Sequence, residues 1–167
     1  MSAPAVSQRA VIDRAGPGDL DAIMALERDG FDPASRWSDA SWRAELTRPD
    51  RCVLVDRDGT VVRGVAAFQV VAEVADLHRV VVASDRRGRG IARALVGAGL
   101  AWAAGRRARH MLLEVEHDNA PALALYRRLG FAELTRRKDY YGAGRHALVM
   151  RRDLAGAVDG VGMKELA

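Results

Sequence analysis

Two residues whose types suit proton transfer stand twelve positions apart in the stretch LLEVEHDNAPALALYRRLGF, from Leu112 to Phe131. Glu114 lies inside an apolar run that reads as a strand, and Tyr126 lies on the helix that follows. A carboxylate held partly out of water between strands becomes a usable base near neutral pH, and a nearby tyrosine hydroxyl can return a proton. Together they suit a reaction that removes a proton from a nucleophile and protonates a leaving group. Taken alone, Glu114 equally fits an exposed strand residue, and Tyr126 a core aromatic.

A second stretch, RGRGIARAL from Arg87 to Leu95, suits an anion. A strand runs into a turn rich in Gly and Arg, and a helix begins there. Free N–H groups at a helix start attract phosphate, and Gly88 and Gly90 let it approach the backbone closely. Arg87, Arg89 and Arg93 can reach further oxygens. The same residues also fit a plain helix entry with solvated arginines. Two rival phosphate motifs fail on spacing. Arg93 stands where a dinucleotide fingerprint needs Gly or Ala, and the only lysines are Lys138 and Lys164, so no Gly-Lys-Ser/Thr exists.

These residues need elements to position them. Residues 9 to 15 alternate as a first strand. A helix follows with Pro17 at its first position, Asp19 and Asp21 at its positive start and Gly30 at its end. Ser38 caps a short helix running through Thr47. Two β-branched runs flank Asp58-Gly59 as a hairpin, and residues 73–84 continue the meander. A long helix follows Gly90; Gly97 and Gly99 weaken it but permit close packing. Then come the Glu114 strand, a helix capped by Asp118 or Asn119 and stopped at Gly130, and two last strands over 131–141 and 145–154. The order β-α-α-β-β-β-α-β-α-β-β predicts one α/β (α+β) domain over 9–154, with a mixed sheet and helices on both faces. Residues 155–167 lack a period and are expected to form a mobile tail.

The bulk numbers set limits. The chain has 167 residues, 49% hydrophobic and 29% charged, enough for one domain with a real core. No apolar run reaches the roughly 18 residues of a membrane span, and MSAPAVSQRAVIDR lacks the pattern of a signal peptide. The single cysteine, Cys52, sits in an apolar strand and reads as a core residue. With one cysteine there is no disulfide framework, and a reducing cytoplasm is the expected compartment. The four histidines show no ligand spacing, so no metal is expected. Net charge is +4, carried almost wholly by arginine. An RNA-binding domain would use such clusters, but aromatics are only 5% and none interleave the Arg runs. Direct nucleic-acid binding is therefore not expected.

The string Arg87-x-x-Gly90-x-Ala92 resembles the acetyl-CoA signature of the GNAT acyltransferases, Gln/Arg-x-x-Gly-x-Gly/Ala, and VEHDNAPALALYRRLGF resembles that family's second hallmark. The resemblance spans roughly residues 9–154. Within the family, RWSDASW, LEVEHDN, RRKDYY and ALVM are similar to the RimI subgroup, which acetylates the N-terminal alanine of a small-subunit ribosomal protein. One departure stands out. Subgroup members often carry an acid before the final Ala, where this chain has Arg145-His146-Ala147.

The resemblance implies a GNAT fold of about seven mostly antiparallel strands, with the strand of Val80 to Val82 splayed from that of Leu112 to Val115. It implies acetyl-CoA in the gap, its pantetheine on the backbone of Val80, Val81 and Val82. Its pyrophosphate would rest on the N–H groups of Gly88, Arg89, Gly90, Ile91, Ala92 and Arg93, with Arg87 and Asn119 also in contact. Glu114 matches the subgroup's general base and Tyr126 its general acid. By analogy Phe31 to Trp37 and the Tyr140-Tyr141 region line the acceptor groove, with Trp37, Tyr141 and Glu27 as candidate substrate contacts. The expected acceptor is a protein N-terminus, and the expected state a monomer. An α-amino group has a pKa near 8 against about 10.4 for lysine. At pH 7 roughly a tenth of the former is neutral, but well under about a thousandth of the latter. A single carboxylate base is thus better matched to an N-terminal amine. A lysine side chain, a small-molecule amine and an acetyl-CoA sensor without turnover are the other readings.

Overall fold

A computed structural model of the chain describes residues 10–154. The tail assigned to 155–167 lies outside the described residues, as does Arg9. The strands are β1 (Val11–Arg14), β2 (Arg51–Asp58), β3 (Val61–Val71), β4 (Val74–Val82), β5 (His110–Glu116), β6 (Ala132–Arg137) and β7 (Ala147–Asp153). The helices are α1 (Leu20–Gly30), α2 (Asp39–Thr47), α3 (Ile91–Gly105) and α4 (Ala120–Arg128). The order read from the sequence is the order observed. The last two strands are shorter than read, because residues 138–146 form turns between them.

Local chemistry sets most boundaries. Ser38 caps α2, its hydroxyl accepting the Ser41 N–H at 3.1 Å. Asn119 caps α4, its carbonyl accepting the Ala122 N–H at 3.3 Å. Gly130, at φ 87°, turns the chain out of α4. Two expectations shift. The β2–β3 turn is Gly59-Thr60 rather than Asp58-Gly59, because Asp58 still pairs with Val61 and the positive φ of 61° falls on Gly59. Pro17–Asp19 form a 3₁₀ turn ahead of α1. There Asp19 accepts the Gly16 N–H at 2.9 Å and holds both terminal nitrogens of Arg57 at 2.7 Å.

The seven strands form one sheet in the order β1-β2-β3-β4-β5-β7-β6. Every neighbouring pair is antiparallel except β4 with β5. Alternation along β2 sends Val53 and Val55 to one face and Cys52 and Leu54 to the other. On the first face Leu20, Ile23 and Leu26 of α1 and Trp42 of α2 pack over Val53, Val55, Val65 and Val81. On the second, α3 and α4 cover Phe68, Met111, Leu113 and Met150. Gly99 brings α3 onto the sheet: a Cβ there would fall 2.0 Å from Cζ of Phe68. Gly97 faces open space, so only one of the two helix glycines serves packing. Cys52 is buried in this second core, and burial pushes its thiol up, away from nucleophile chemistry.

The feature that shapes the site is a failure of pairing. β4 and β5 pair only through Val74–His110, Ala75–Met111 and Asp76–Leu112. Beyond that point β4 stays bonded to β3 and β5 to β7, and the two central strands part. A wedge opens in the middle of the sheet, as expected of the splayed pair.

Candidate active site

Glu114 sits where the wedge opens. Its backbone pairs with Val149 of β7, and no residue of β4 pairs with it on the other side. Along β5 its neighbours Leu113 and Val115 are buried under α3 and α4, so alternation sends the Glu114 side chain to the opposite face. It lines two clefts. One, of about 770 Å³, also holds Val80, Asn119, Tyr126 and Tyr141. The other, of about 570 Å³, also holds Trp37, Asp76, His78, Arg137 and Tyr140. The sequence placed this carboxylate partly out of water. Its side chain is 29% exposed, the remaining access coming from the parting of the strands, which leaves it open to both clefts.

Tyr126 belongs to the α4 side of the wedge. It is buried against Phe131, their ring centroids 5.9 Å apart, yet it reaches the larger cleft. Burial, and then the charge of Tyr141, pushes its hydroxyl up to about 12. The phenol therefore carries its proton throughout the neutral range. Glu114 and Tyr126, twelve positions apart in sequence, both line the larger cleft.

The Gly-Arg turn has the form an anion needs. Gly88 and Gly90 adopt φ of 76° and 81°, and a Cβ on either would meet no atom within 4 Å. Gly90 precedes α3, and the Ala94 N–H is the first to find its acceptor, Gly90 O at 3.0 Å. The N–H groups ahead of it are open to a ligand. Arg87, Arg89 and Arg93 are exposed around them, while the Ile91 side chain is buried in the core. Val80, Val81 and Val82 lie on β4 past the last β5 pair, so their gap-facing backbone has no strand partner. Asn119 lines the larger cleft with its carbonyl already committed to the α4 cap.

The acceptor-side candidates divide. Trp37 lines the smaller cleft, and its ring lies 5.1 Å from that of Trp42. Tyr141 lines both clefts; burial, then the Glu114 charge, pushes its hydroxyl up to about 12. Glu27 does not face a cleft. It is fully buried, and its carboxylate accepts the Trp37 N–H at 3.0 Å, the Trp42 indole N–H at 3.1 Å and two Arg79 donors at 2.9 and 2.6 Å. Its charge is already met, so it is no free anion for a substrate terminus.

Three residues went unnoticed in the sequence, and a fourth, Tyr140, was placed only with its region along the acceptor groove. Arg79 lines both clefts. Asp76 marks the vertex of the wedge, and burial pushes its carboxyl up. Arg137 stands 3.3 Å from Glu114. Tyr140 lies beside Glu114 in the smaller cleft, and that carboxylate pushes its phenol up. Polar residues at alternate positions of an otherwise apolar β4 were the available signal for Asp76. Arg137 and Tyr140 lay inside RRKDYY, but only folding sets them beside the base.

Comparison with known proteins decides what this architecture is. Residues 20–131 match the Acetyltransferase (GNAT) family. This chain belongs to the GNAT family. It is 35% identical over 140 residues to N-alpha-acetyltransferase RimI of Mycobacterium tuberculosis, covering 81% of this chain and 87% of that one. It is 33% identical over 148 residues to an uncharacterised protein of Mycobacterium leprae, covering 86% of this chain but only 40% of that longer protein. The crystal structure of the ribosomal-protein-S18-alanine N-acetyltransferase from Escherichia coli superimposes with a TM-score of 0.79 at 27% identity, covering 87% of this chain and 94% of that one. The open mixed sheet with its parted central strands is thus the GNAT fold, and the resemblance to RimI-type enzymes extends over most of the chain. Among the described residues no helix is long and apolar enough to cross a membrane.

Proposed function

We propose that this GNAT protein transfers acetyl from acetyl-CoA to the N-terminal amine of a protein, with the N-terminal alanine of a small-subunit ribosomal protein as its main acceptor. One observation carries the reading: Glu114 lines two clefts that meet at the wedge between β4 and β5. A cofactor in one and an acceptor in the other meet at that carboxylate. The relatives named for RimI and for S18-alanine acetylation support the acceptor. A ribosomal protein is then the partner, and the cytoplasm the compartment.

Acetyl-CoA enters the larger cleft, its pyrophosphate on the open N–H groups of Gly88 to Arg93 and its pantetheine along Val80 to Val82. Arg87 and the free amide nitrogen of Asn119 add contacts. Glu114, through a water, takes a proton from the acceptor ammonium. The neutral amine attacks the thioester carbon, and a backbone N–H of Val80 to Val82 steadies the oxyanion. The C–S bond breaks, Tyr126 gives its proton to the departing thiolate, and the second proton shed by the acylated nitrogen passes through solvent to restore the tyrosine. The attack is direct, so Cys52 has no part. Trp37 and Tyr141 flank the acceptor.

The test supplies acetyl-CoA with two peptides, one carrying a free N-terminal alanine and one blocked there with an internal lysine. CoA release is followed and the acetyl group located by mass spectrometry. The expected label is on the terminal alanine alone. Label on the lysine would move the protein to another acceptor class. Acetyl-CoA binding without transfer to either peptide would point to a small-molecule amine or a sensor.

A further inference from the structure

The loop between α1 and α2 lines both clefts that meet at Glu114, and a single residue from β4 fastens it at three places. The Arg79 guanidinium donates to both oxygens of Glu27 at 2.9 and 2.6 Å. It donates to the Ser35 carbonyl at 2.7 Å. Its carbon lies 3.5 Å from the Phe31 ring centroid and 5.0 Å from that of Trp37. Glu27 holds the far end of the loop through the Trp37 N–H. Phe31 and Ser35 line the larger cleft, Trp37 lines the smaller, and Arg79 lines both.

Stability alone is a poor reason for this arrangement. Burying an ion pair costs desolvation that an apolar pair of similar volume avoids. What the forked guanidinium adds is geometry, since it reaches a carboxylate, a carbonyl and two ring faces at fixed angles. A wall set before the acceptor arrives spares binding the entropy of ordering it.

We propose that Arg79 is a positioning residue for acceptor recognition, holding the Phe31–Trp37 loop as a preformed wall against which the first residues of the acceptor peptide lie. This rests on the reading that a peptide enters between that loop and β4.

The test compares wild type, Arg79→Lys and the double variant Glu27→Gln with Arg79→Met. The double variant removes both charges, so no buried carboxylate is left alone and the fold survives. Peptide KM in the double variant is expected to rise tenfold or more, with kcat at saturating peptide and acetyl-CoA affinity within about threefold of wild type. Arg79→Lys recovers part of the peptide KM. A double variant with wild-type peptide KM, or with acetyl-CoA affinity lost equally, would overturn the proposal. Amide hydrogen exchange without substrates separates its failure from that of the acetyltransferase reading. Residues 31–38 should exchange faster in the double variant while α1 and β4 stay protected; unchanged loop exchange would overturn the proposal whatever the acceptor. No peptide turnover by wild type would instead strike the functional reading.

Discussion

Arg137 and Glu114 face one another across the smaller cleft, Nη1 to Oε1 at 3.3 Å, with the arginine side chain 54% exposed. The base thus meets a cation before any acceptor arrives, and the guanidinium also lies 5.3 Å from the Tyr140 ring centroid. An acceptor ammonium bound for Glu114 must displace it. Half-exposed pairs are weak, on the order of 0–1 kcal/mol, so the competition is mild. Arg137→Gln is expected to lower acceptor KM by about two- to fivefold, the factor that energy allows, with acetyl-CoA affinity unchanged. Steady-state kinetics at fixed acetyl-CoA would show it, and a raised acceptor KM would mean that Arg137 contacts the acceptor directly.

Tyr126→Phe removes the proposed donor to the thiolate and little else, since the ring keeps its packing against Phe131. We expect kcat to fall roughly 10²-fold with the thermal midpoint almost unmoved. An activated acetyl thioester with a more acidic leaving thiol should lose less in the variant, because its thiolate needs less protonation. Equal losses for both thioesters would argue against the role.

The buried phenol of Tyr126 and the half-buried one of Tyr141 give the fold an alkaline limit. Tyr126 and Tyr141 are each pushed up to about 12, above the unfolded value near 10. Between those values the folded chain holds protons that the unfolded chain has released. Stability from these groups is therefore complete below about pH 10 and lost as pH rises toward about 12. Urea midpoints measured at pH 8, 10 and 11 should fall mainly across the last interval, and Tyr126→Phe should soften that fall.

Gly99→Ala and Gly97→Ala should move stability in opposite directions. A Cβ at Gly99 meets the Phe68 ring at 2.0 Å, whereas at Gly97 it meets nothing within 4 Å. Overpacking at the first costs about 1–3 kcal/mol. The second gains up to about 1 kcal/mol from better helix propensity. Denaturant unfolding of the two variants checks both signs.

Signals carried by short stretches were legible in the sequence. Ser38, Asn119 and Gly130 act on their own helix ends, so the element order could be read. The Gly88–Gly90 turn was legible for the same reason. Relationships set by tertiary packing were not. Glu27 read as a candidate substrate contact because its partner, Arg79, is 52 positions away on a strand. That Glu114 opens onto two clefts was not legible either, because β4 and β5 part just short of it. That parting has no local signature, and the family resemblance alone pointed to it.

Acetyl transfer is proposed to depend on Glu114 as the proton acceptor at the mouth of the wedge, which Glu114→Gln removes. Single-turnover acetyl transfer to the alanine peptide and acetyl-CoA binding by calorimetry would be measured on the same preparation. The expected transfer rate is lower by roughly 10²-fold or more, with acetyl-CoA affinity within about twofold of wild type. Transfer at the wild-type rate would contradict that dependence and move the chemistry away from this carboxylate.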